Sequence, residues 1–128
     1  MKQFQNLIND CLIDIKHVES AAILVAKTAT VTAASTEFPV LPSQAQMFVD
    51  AFKNLTLTRR QGIYFQDKVY TCVRADRNSI YCKDDARGLI MVKTTLYIIV
   101  ATYNNSMYPS VCAEAVEKLA AYLKEKGK

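Results

Sequence analysis

The second half of the chain is dominated by short runs of β-prone residues in which apolar and polar side chains tend to alternate. Five such runs occupy residues 63–65, 69–75, 79–83, 89–94 and 96–103. The breaks between them are far shorter than the dozen or so residues that a parallel crossover needs, so consecutive strands must pair antiparallel. This region therefore predicts a five-stranded meander.

Helical periodicity marks three other segments. Residues 4–15 place apolar side chains three and four positions apart, which predicts an amphipathic helix of about three turns. A second helix begins at Pro42, since proline suits the first helical turn, and stops near Asn54. Residues 109–126 form the last helix, and two short strands, residues 21–26 and 31–34, follow the first. This order predicts an α+β fold with helices packed on a central antiparallel sheet.

Composition is typical of a compact soluble protein. The chain has 128 residues, of which 22% are charged, and contains only three glycines and three prolines. We expect one domain over residues 1–128, without repeats or linkers. No apolar run approaches the length of a membrane span, and the first residues lack a signal-peptide core, so we expect a cytoplasmic protein. The oligomeric state expected is a monomer.

The cysteines are widely separated. Cys11, Cys72, Cys82 and Cys112 form no C-x-x-C pair, and a single histidine offers little help in building a zinc site. In a reducing cytosol they are expected to be buried free thiols that behave as small hydrophobic residues.

Charge is unevenly distributed along the chain. The net charge is +4, but residues 51–100 carry nine basic and four acidic side chains, whereas residues 1–50 carry three and five. This excess favours an acidic partner, such as an anionic lipid headgroup or an acidic protein surface. Scattered solvated charges are the alternative interpretation. Nucleic acid is not an expected partner, because exposed aromatic residues do not interleave with the cations.

Patterns that indicate catalysis are nearly absent. His17 has no acid and nucleophile near it in sequence, and neither a glycine-rich phosphate loop nor an H-E-x-x-H motif occurs. Asp84 and Asp85 could hold a metal, but two carboxylates in a tight turn are usually solvated. We expect a binding protein with no enzymatic activity, no cofactor and no metal.

The C-terminal helix carries the most specific sequence pattern. Met107-Tyr108-Pro109-Ser110-Val111-Cys112, followed by Val116-Glu117-Lys118-Leu119 and Tyr122-Leu123, resembles the M-x-P-x-x-C…V-E-x-L-x-x-Y-L ending of profilins. Segments 20–24, 62–64, 88–89 and 93–94 lie at profilin spacings, so the resemblance covers essentially the whole chain. Within that family, segments 16–22, 59–65, 72–76 and 100–103 look most similar to the divergent fourth animal branch.

The resemblance implies a profilin-like fold, with the N- and C-terminal helices packed together on one face of the sheet and a further helix on the other. It also implies a cytoskeleton-associated protein. The family is known for three ligands, which are monomeric actin, proline-rich peptides and phosphoinositides.

In the family, aromatic rings stack on proline-rich peptides. The matching positions here are Phe4, Leu7, Thr32 and Tyr122, and the chain has no tryptophan. With two rings lost, we expect affinity to fall by about an order of magnitude or more, leaving this binding weak or absent. The alternative interpretation is that Phe4 and Tyr122 only seal the contact between the terminal helices.

The family meets actin with the outer face of its later strands and the start of its last helix. The matching positions are Arg74, Lys83, Arg87, Lys93 and Glu114. A family lysine is replaced by Val69, and acidic residues Asp84 and Asp85 stand where basic ones occur in the family. Since misplaced charge at an interface is costly, actin binding is expected to be weakened or lost, with conventional monomer binding as the alternative.

Phosphoinositide headgroups need clustered cations rather than one fixed geometry. The lipid-binding candidates are Arg59, Arg60, Lys68 and Arg77, in the basic middle of the chain. We therefore expect an anionic phospholipid to be the main partner.

Overall fold

A computed structural model describes residues 2–36, 38 and 40–128. The helices are α1 (Lys2–Cys11), α2 (Pro42–Lys53), α3 (Leu55–Gln61) and α4 (Pro109–Glu125), and a 3-10 turn, Ile13–Ile15, follows α1. The strands are β1 (Ser20–Val25), β2 (Thr30–Ala34), β3 (Ile63–Phe65), β4 (Lys68–Ala75), β5 (Ser79–Asp84), β6 (Arg87–Lys93) and β7 (Tyr97–Tyr103).

All seven strands form one antiparallel sheet in the order β2-β1-β7-β6-β5-β4-β3. Strands β3 to β7 are the predicted meander, in which each strand pairs with the next along the chain. The N-terminal hairpin joins it through β1 and β7, in a register that runs from Ser20 opposite Thr102 to Val25 opposite Tyr97. The predicted α+β fold with a central antiparallel sheet is confirmed.

Both faces of the central strands are buried, which explains their nearly continuous apolar sequence. In β7, Ile99 and Ala101 point into a core shared with α1 and α4, whereas Ile98 and Val100 point into a core shared with α2. The first core includes Phe4, Ile8, Leu12, Val116 and Leu119, and the second includes Phe48, Val49, Phe52, Leu89 and Met91. The terminal helices therefore lie together on one face, as predicted.

Helix α3 was not predicted from the sequence. It begins directly after Asn54, whose side-chain Oδ1 accepts a hydrogen bond from the backbone N–H of Leu57 at 3.1 Å. The Thr58 hydroxyl is buried and donates to the backbone oxygen of Ala51 at 2.8 Å, which ties α3 to α2. Tertiary packing thus overrides the weak helix propensity of this threonine-containing segment.

The first helix is shorter than predicted. Its α-helical part ends at Cys11, and the 3-10 turn that follows is terminated by Lys16, whose φ is 75°. The apolar period continues through Ile15 because that turn remains beside the helix. No helix within the described ranges is long and apolar enough to cross a membrane.

Gly88 allows a close approach between β6 and β7. It lies directly opposite Tyr103, and a Cβ atom at this position would be 2.0 Å from a carbon of the tyrosine ring. The ring therefore occupies the space above the glycine, on the same side of the sheet as α4.

Candidate ligand-binding surfaces

Two neighbouring strands are left uncovered on the α4 side of the sheet. Helix α4 packs on β6 and β7, and α1 packs on β1 and β2, so Val73, Arg74 and Lys83 on this side of β4 and β5 are exposed. Ser79 and Tyr81 lie at the edge of α4, where they contact Glu117. We call this region the outer face and define it by Val73, Arg74, Tyr81, Lys83 and Glu117.

Glu117 is the centre of a polar cluster on the outer face. The Ser79 hydroxyl donates to Glu117 Oε2 at 3.0 Å, and the Tyr81 hydroxyl donates to the same oxygen. The Arg74 guanidinium lies 5.3 Å from the centre of the Tyr81 ring and 3.1 Å from Asp76. Burial, followed by the hydrogen bond to Glu117 and its charge, raises the pKa of Tyr81 to about 12.

Asp76 orders the turn that joins β4 to β5. Its Oδ1 accepts hydrogen bonds from the backbone N–H groups of Asn78 and Ser79, at 2.9 and 2.8 Å. These backbone bonds and the bond from Arg74 favour the carboxylate, so the pKa of Asp76 is lowered. The turn therefore holds Arg77 at a fixed place beside Arg74.

The predicted actin-facing residues do not all share one surface. Arg74 and Lys83 lie on the outer face, and Glu114 is exposed on α4, the helix that borders it. Arg87 and Lys93 stand at opposite ends of β6, and alternation along that strand places both on the side away from Ile90 and Val92.

Basic side chains converge at one end of the molecule. The β4–β5 turn meets the end of β6 through a hydrogen bond from Lys93 N–H to Asn78, and the β1–β2 turn meets residue Leu96 through Ala26 N–H. The end of α4 is held there as well, because Leu96 N–H donates to the backbone oxygen of Lys128 at 2.6 Å. We call this the cationic end. Among the side chains that the structure describes, those at this end include nine basic ones, Lys27, Arg59, Arg60, Arg74, Arg77, Lys93, Lys124, Lys126 and Lys128, and the acidic Asp76, Glu117 and Glu125.

Three of the four predicted lipid-binding residues belong to the cationic end. Arg59 donates two hydrogen bonds to the backbone oxygen of Ala75, at 2.7 and 3.2 Å, and so positions the end of α3, including Arg60, next to the β4–β5 turn. Arg77 lies in that turn. Lys68 begins β4 and is therefore at the opposite end.

Sequence reasoning missed several cations of this end, because they come from segments far apart in the chain. Lys27 belongs to the first hairpin, and Lys124, Lys126 and Lys128 belong to the end of α4. Lys124 lines a polar recess of about 430 Å³ together with Arg74, Arg77 and Ser79.

The opposite end is close to neutral. Lys68 and Arg87 line a shallow recess there with Asp84 and Asp85. Among residues 2–36, 38 and 40–128, no three His, Cys, Asp or Glu side chains are grouped so that they could hold a metal ion.

A mainly apolar groove of about 330 Å³ separates α1 from α4. It is lined by Leu7, Cys11, Ile15, Ala115, Lys118, Leu119 and Tyr122. Of the predicted peptide-binding positions, the groove brings together Leu7 and Tyr122, which is 41% exposed. Phe4 is only 1% exposed and packs edge-on against Tyr97 at 4.9 Å, whereas Thr32 on β2 does not line the groove.

His17 has a structural role at the start of α4. Its Nδ1 accepts the backbone N–H of Tyr108 at 3.0 Å, and its ring stacks on the Tyr108 ring at 5.2 Å. Tyr108 is the residue that precedes the first turn of α4. The contact therefore connects the segment after α1 with the last helix.

The sequence matches the Profilin family model over residues 2–128. The chain belongs to the profilin family. It is 48% identical to Profilin-4 of Mus musculus and 50% identical to Profilin-4 of Bos taurus, in each case over 99% of both chains. The predicted resemblance to this branch is therefore confirmed.

The fold is similar to that of profilin IA from Acanthamoeba castellanii. The TM-score is 0.91 at 37% identity, and the match covers 98% of this chain and 99% of that one. Profilins are actin-regulating cytoskeletal proteins and are not enzymes.

Because of the hydrogen bond between Tyr81 and Glu117, we expect the free energy of unfolding to depend on pH in the alkaline range. The folded state keeps the Tyr81 proton up to about pH 12, whereas the unfolded state loses it near 10.0, so this bond's stabilisation is present below pH 10 and is lost as the pH rises to about 12. In urea titrations across this window, the Tyr81→Phe variant should lose less stability than the wild-type protein. At neutral pH it should be less stable by about 1–2 kcal/mol.

Tyr64→Phe is the matched control, because Tyr64 is exposed and bonds only weakly to Asp67 at 3.3 Å. Its pH dependence should match that of the wild type. If the free energy of unfolding falls equally steeply with pH in Tyr81→Phe and in the wild type, the pH dependence does not come from Tyr81.

Proposed function

We propose that this profilin binds anionic phospholipid membranes through its cationic end. The observation that carries the proposal is the convergence there of nine basic side chains and three acidic ones, counted over the part of the chain that the structure describes. More than half of the 16 lysines and arginines of the chain are thus collected at one end. Such an asymmetry orients a protein towards an anionic surface.

The size of the electrostatic attraction fits reversible binding. Each basic residue close to an anionic membrane contributes about 1 kcal/mol, and the attraction falls off within a Debye length of about 10 Å. A net excess of six cations therefore provides several kcal/mol. This supports peripheral attachment that is sensitive to ionic strength.

The recess between α4 and the β4–β5 turn suits a phosphorylated headgroup. Arg77 and Lys124 line it, and neither is among the described residues that form an ion pair. Asp76, by contrast, is already engaged by Arg74 and by two backbone N–H groups. The headgroup class proposed is a phosphoinositide.

Weak binding of proline-rich peptides is the second part of the proposal. Stacking on a polyproline helix needs exposed flat rings. Phe4 turns its ring into the core, Leu7 is aliphatic, and Tyr122 alone offers an exposed ring in the groove. Lys126 lies 5.3 Å from that ring and so adds positive charge beside it.

Actin-monomer binding is the second candidate function, and the open outer face favours it. The face is accessible and carries Arg74 and Lys83. However, Val69 and Val73 on β4 are both more than half exposed and uncharged. A largely apolar strand is poorly matched to an acidic partner, so we propose that actin binding is weakened.

The membrane proposal is tested by co-sedimentation with phosphatidylcholine vesicles that do or do not contain phosphatidylinositol bisphosphate. We expect salt-sensitive binding only to the anionic vesicles. The double variant Arg77→Glu with Lys124→Glu should bind at least about tenfold more weakly, because two cations become anions at the contact. The control Lys68→Glu with Lys83→Glu makes the same charge change at the opposite end and should bind nearly as well as the wild type. Equal losses in both variants would refute a localised site.

The peptide proposal is tested by restoring rings. Leu7→Tyr restores one ring, and Ile15→Tyr adds a second at another position that lines the groove. This double variant should bind a proline-rich peptide at least about tenfold more tightly than the wild-type chain in a calorimetric titration, since each aromatic contact contributes about 1 kcal/mol. Leu96→Tyr, which adds an exposed ring at the β6–β7 turn, is the control and should change nothing. Tight binding of the peptide by the wild-type chain would contradict the proposal that its affinity for proline-rich peptides is weak.

The actin proposal is tested by the assembly of pyrene-labelled actin. The wild-type protein should slow nucleation only slightly, and Val69→Lys should slow it more, because it adds a cation to the outer face. Leu57→Lys adds the same charge on α3 as a control. Strong inhibition by the wild-type protein at a molar ratio near one would instead support conventional monomer binding.

A further inference from the structure

Two of the four free cysteines face each other across neighbouring strands. Cys72 on β4 and Cys82 on β5 are direct partners in the antiparallel register. Both side chains pack with the α2 core, so they lie on the same side of the sheet. Cys11, at the end of α1, lines the groove between α1 and α4, and Cys112 of α4 is buried in the core on the opposite face of the sheet.

The backbone geometry of this pair suits a disulfide. Directly opposed residues in an antiparallel sheet have Cα atoms about 4.5 or 5.5 Å apart, depending on the hydrogen-bond pattern. Both values fall in the range of about 4.4–6.8 Å that disulfides adopt. A bulge at Val73 adjoins the pair, because the register shifts between Cys72 and Arg74. A bulged strand can adjust locally more easily than a regular one.

The two thiols differ in access. Cys72 is partly exposed, whereas Cys82 is 2% exposed. Burial, and then the nearby Cys72 thiol, raise the pKa of Cys82 to about 12. A peroxide in solution therefore meets the Cys72 sulfur first, and Cys82 remains a protonated partner behind it.

We propose that Cys72 and Cys82 are a redox modification site that forms a reversible cross-strand disulfide with hydrogen peroxide. The Cys72 thiolate, after giving its proton to solvent, attacks one peroxide oxygen. The O–O bond breaks, and the departing hydroxide takes up a proton to form water, leaving Cys72 as a sulfenic acid. The Cys82 sulfur then attacks the Cys72 sulfur, the S–O bond breaks, and hydroxide leaves with the Cys82 proton as a second water. Two electrons have passed from the sulfurs to the peroxide.

The bond would link the two strands that carry the outer face. Tyr81 and Lys83 flank Cys82, and Arg74 follows Cys72 by two residues across the bulge; all three lie on the other side of these strands. A covalent link at this place fixes the bulge and with it the spacing of those side chains. Small thiols reduce accessible disulfides by exchange, so the change is reversible.

The experiment treats the native four-cysteine protein with hydrogen peroxide, blocks the remaining thiols by alkylation, and maps the peptides by mass spectrometry. Free thiols should fall from four to two, a peptide pair joined through Cys72 and Cys82 should appear, and dithiothreitol should restore all four. The unfolding midpoint of the oxidised protein should rise by several degrees, because the denatured chain is constrained.

The control variants separate this pair from the other cysteines. Cys11→Ala with Cys112→Ala should still form the link, whereas Cys72→Ala should form none, and the partial exposure of Cys72 makes that variant compatible with folding. The proposal is overturned if Cys72 and Cys82 are both alkylated after peroxide treatment, or if they join only in urea. The experiment measures free thiols and disulfide-linked peptides, so its result does not depend on whether the protein binds membranes.

Discussion

The pairing of β1 with β7 is the interaction on which the other features of this profilin depend. It joins the N-terminal hairpin to the far side of the meander over six residue pairs. This pairing brings α1 beside α4 and so forms both the core under the two helices and the groove between them. It also brings the β1–β2 turn next to the β6–β7 turn, through the bond from Ala26 to Leu96. This long-range contact therefore adds Lys27 to the cationic end.

Much of the fold could be predicted because local pattern and topology agree. Alternation with short breaks leaves antiparallel neighbours as the only arrangement for β3 to β7. Helix α3 was missed although Asn54 is a residue type that caps helices, because the segment has weak helix propensity and the Thr58 bond to Ala51 that ties it to α2 is not visible in the sequence. The shorter α1 has a similar cause, since the 3-10 turn keeps Ile13 beside the same core as the helix.

The candidate surfaces were predicted less completely than the fold. Sequence reasoning treated the basic residues of the middle third as one group and so placed Lys68 with Arg77. In the structure Lys68 begins β4, whereas Arg77 lies in the turn beyond the other end of that strand. Sequence reasoning also omitted Lys27 and Lys124, which are distant in sequence but adjacent in space to the β6–β7 and β4–β5 turns. For the groove, the loss of rings at Leu7 and Thr32 could be recognised from sequence, but the burial of Phe4 against Tyr97 could not.

An antiparallel meander nevertheless contains a rule that would have separated the charges. Successive turns alternate between the two ends of the sheet, because each strand reverses direction. The β4–β5 and β6–β7 turns must share one end, and the β3–β4 and β5–β6 turns must share the other. The first set holds Arg77 and Lys93 with one acidic residue, Asp76, whereas the second set holds Asp67, Asp84 and Asp85 with three basic residues, Lys68, Lys83 and Arg87. Counting charge by turn rather than by sequence window thus separates a cationic end from a neutral one, and this separation is what the proposed membrane contact requires.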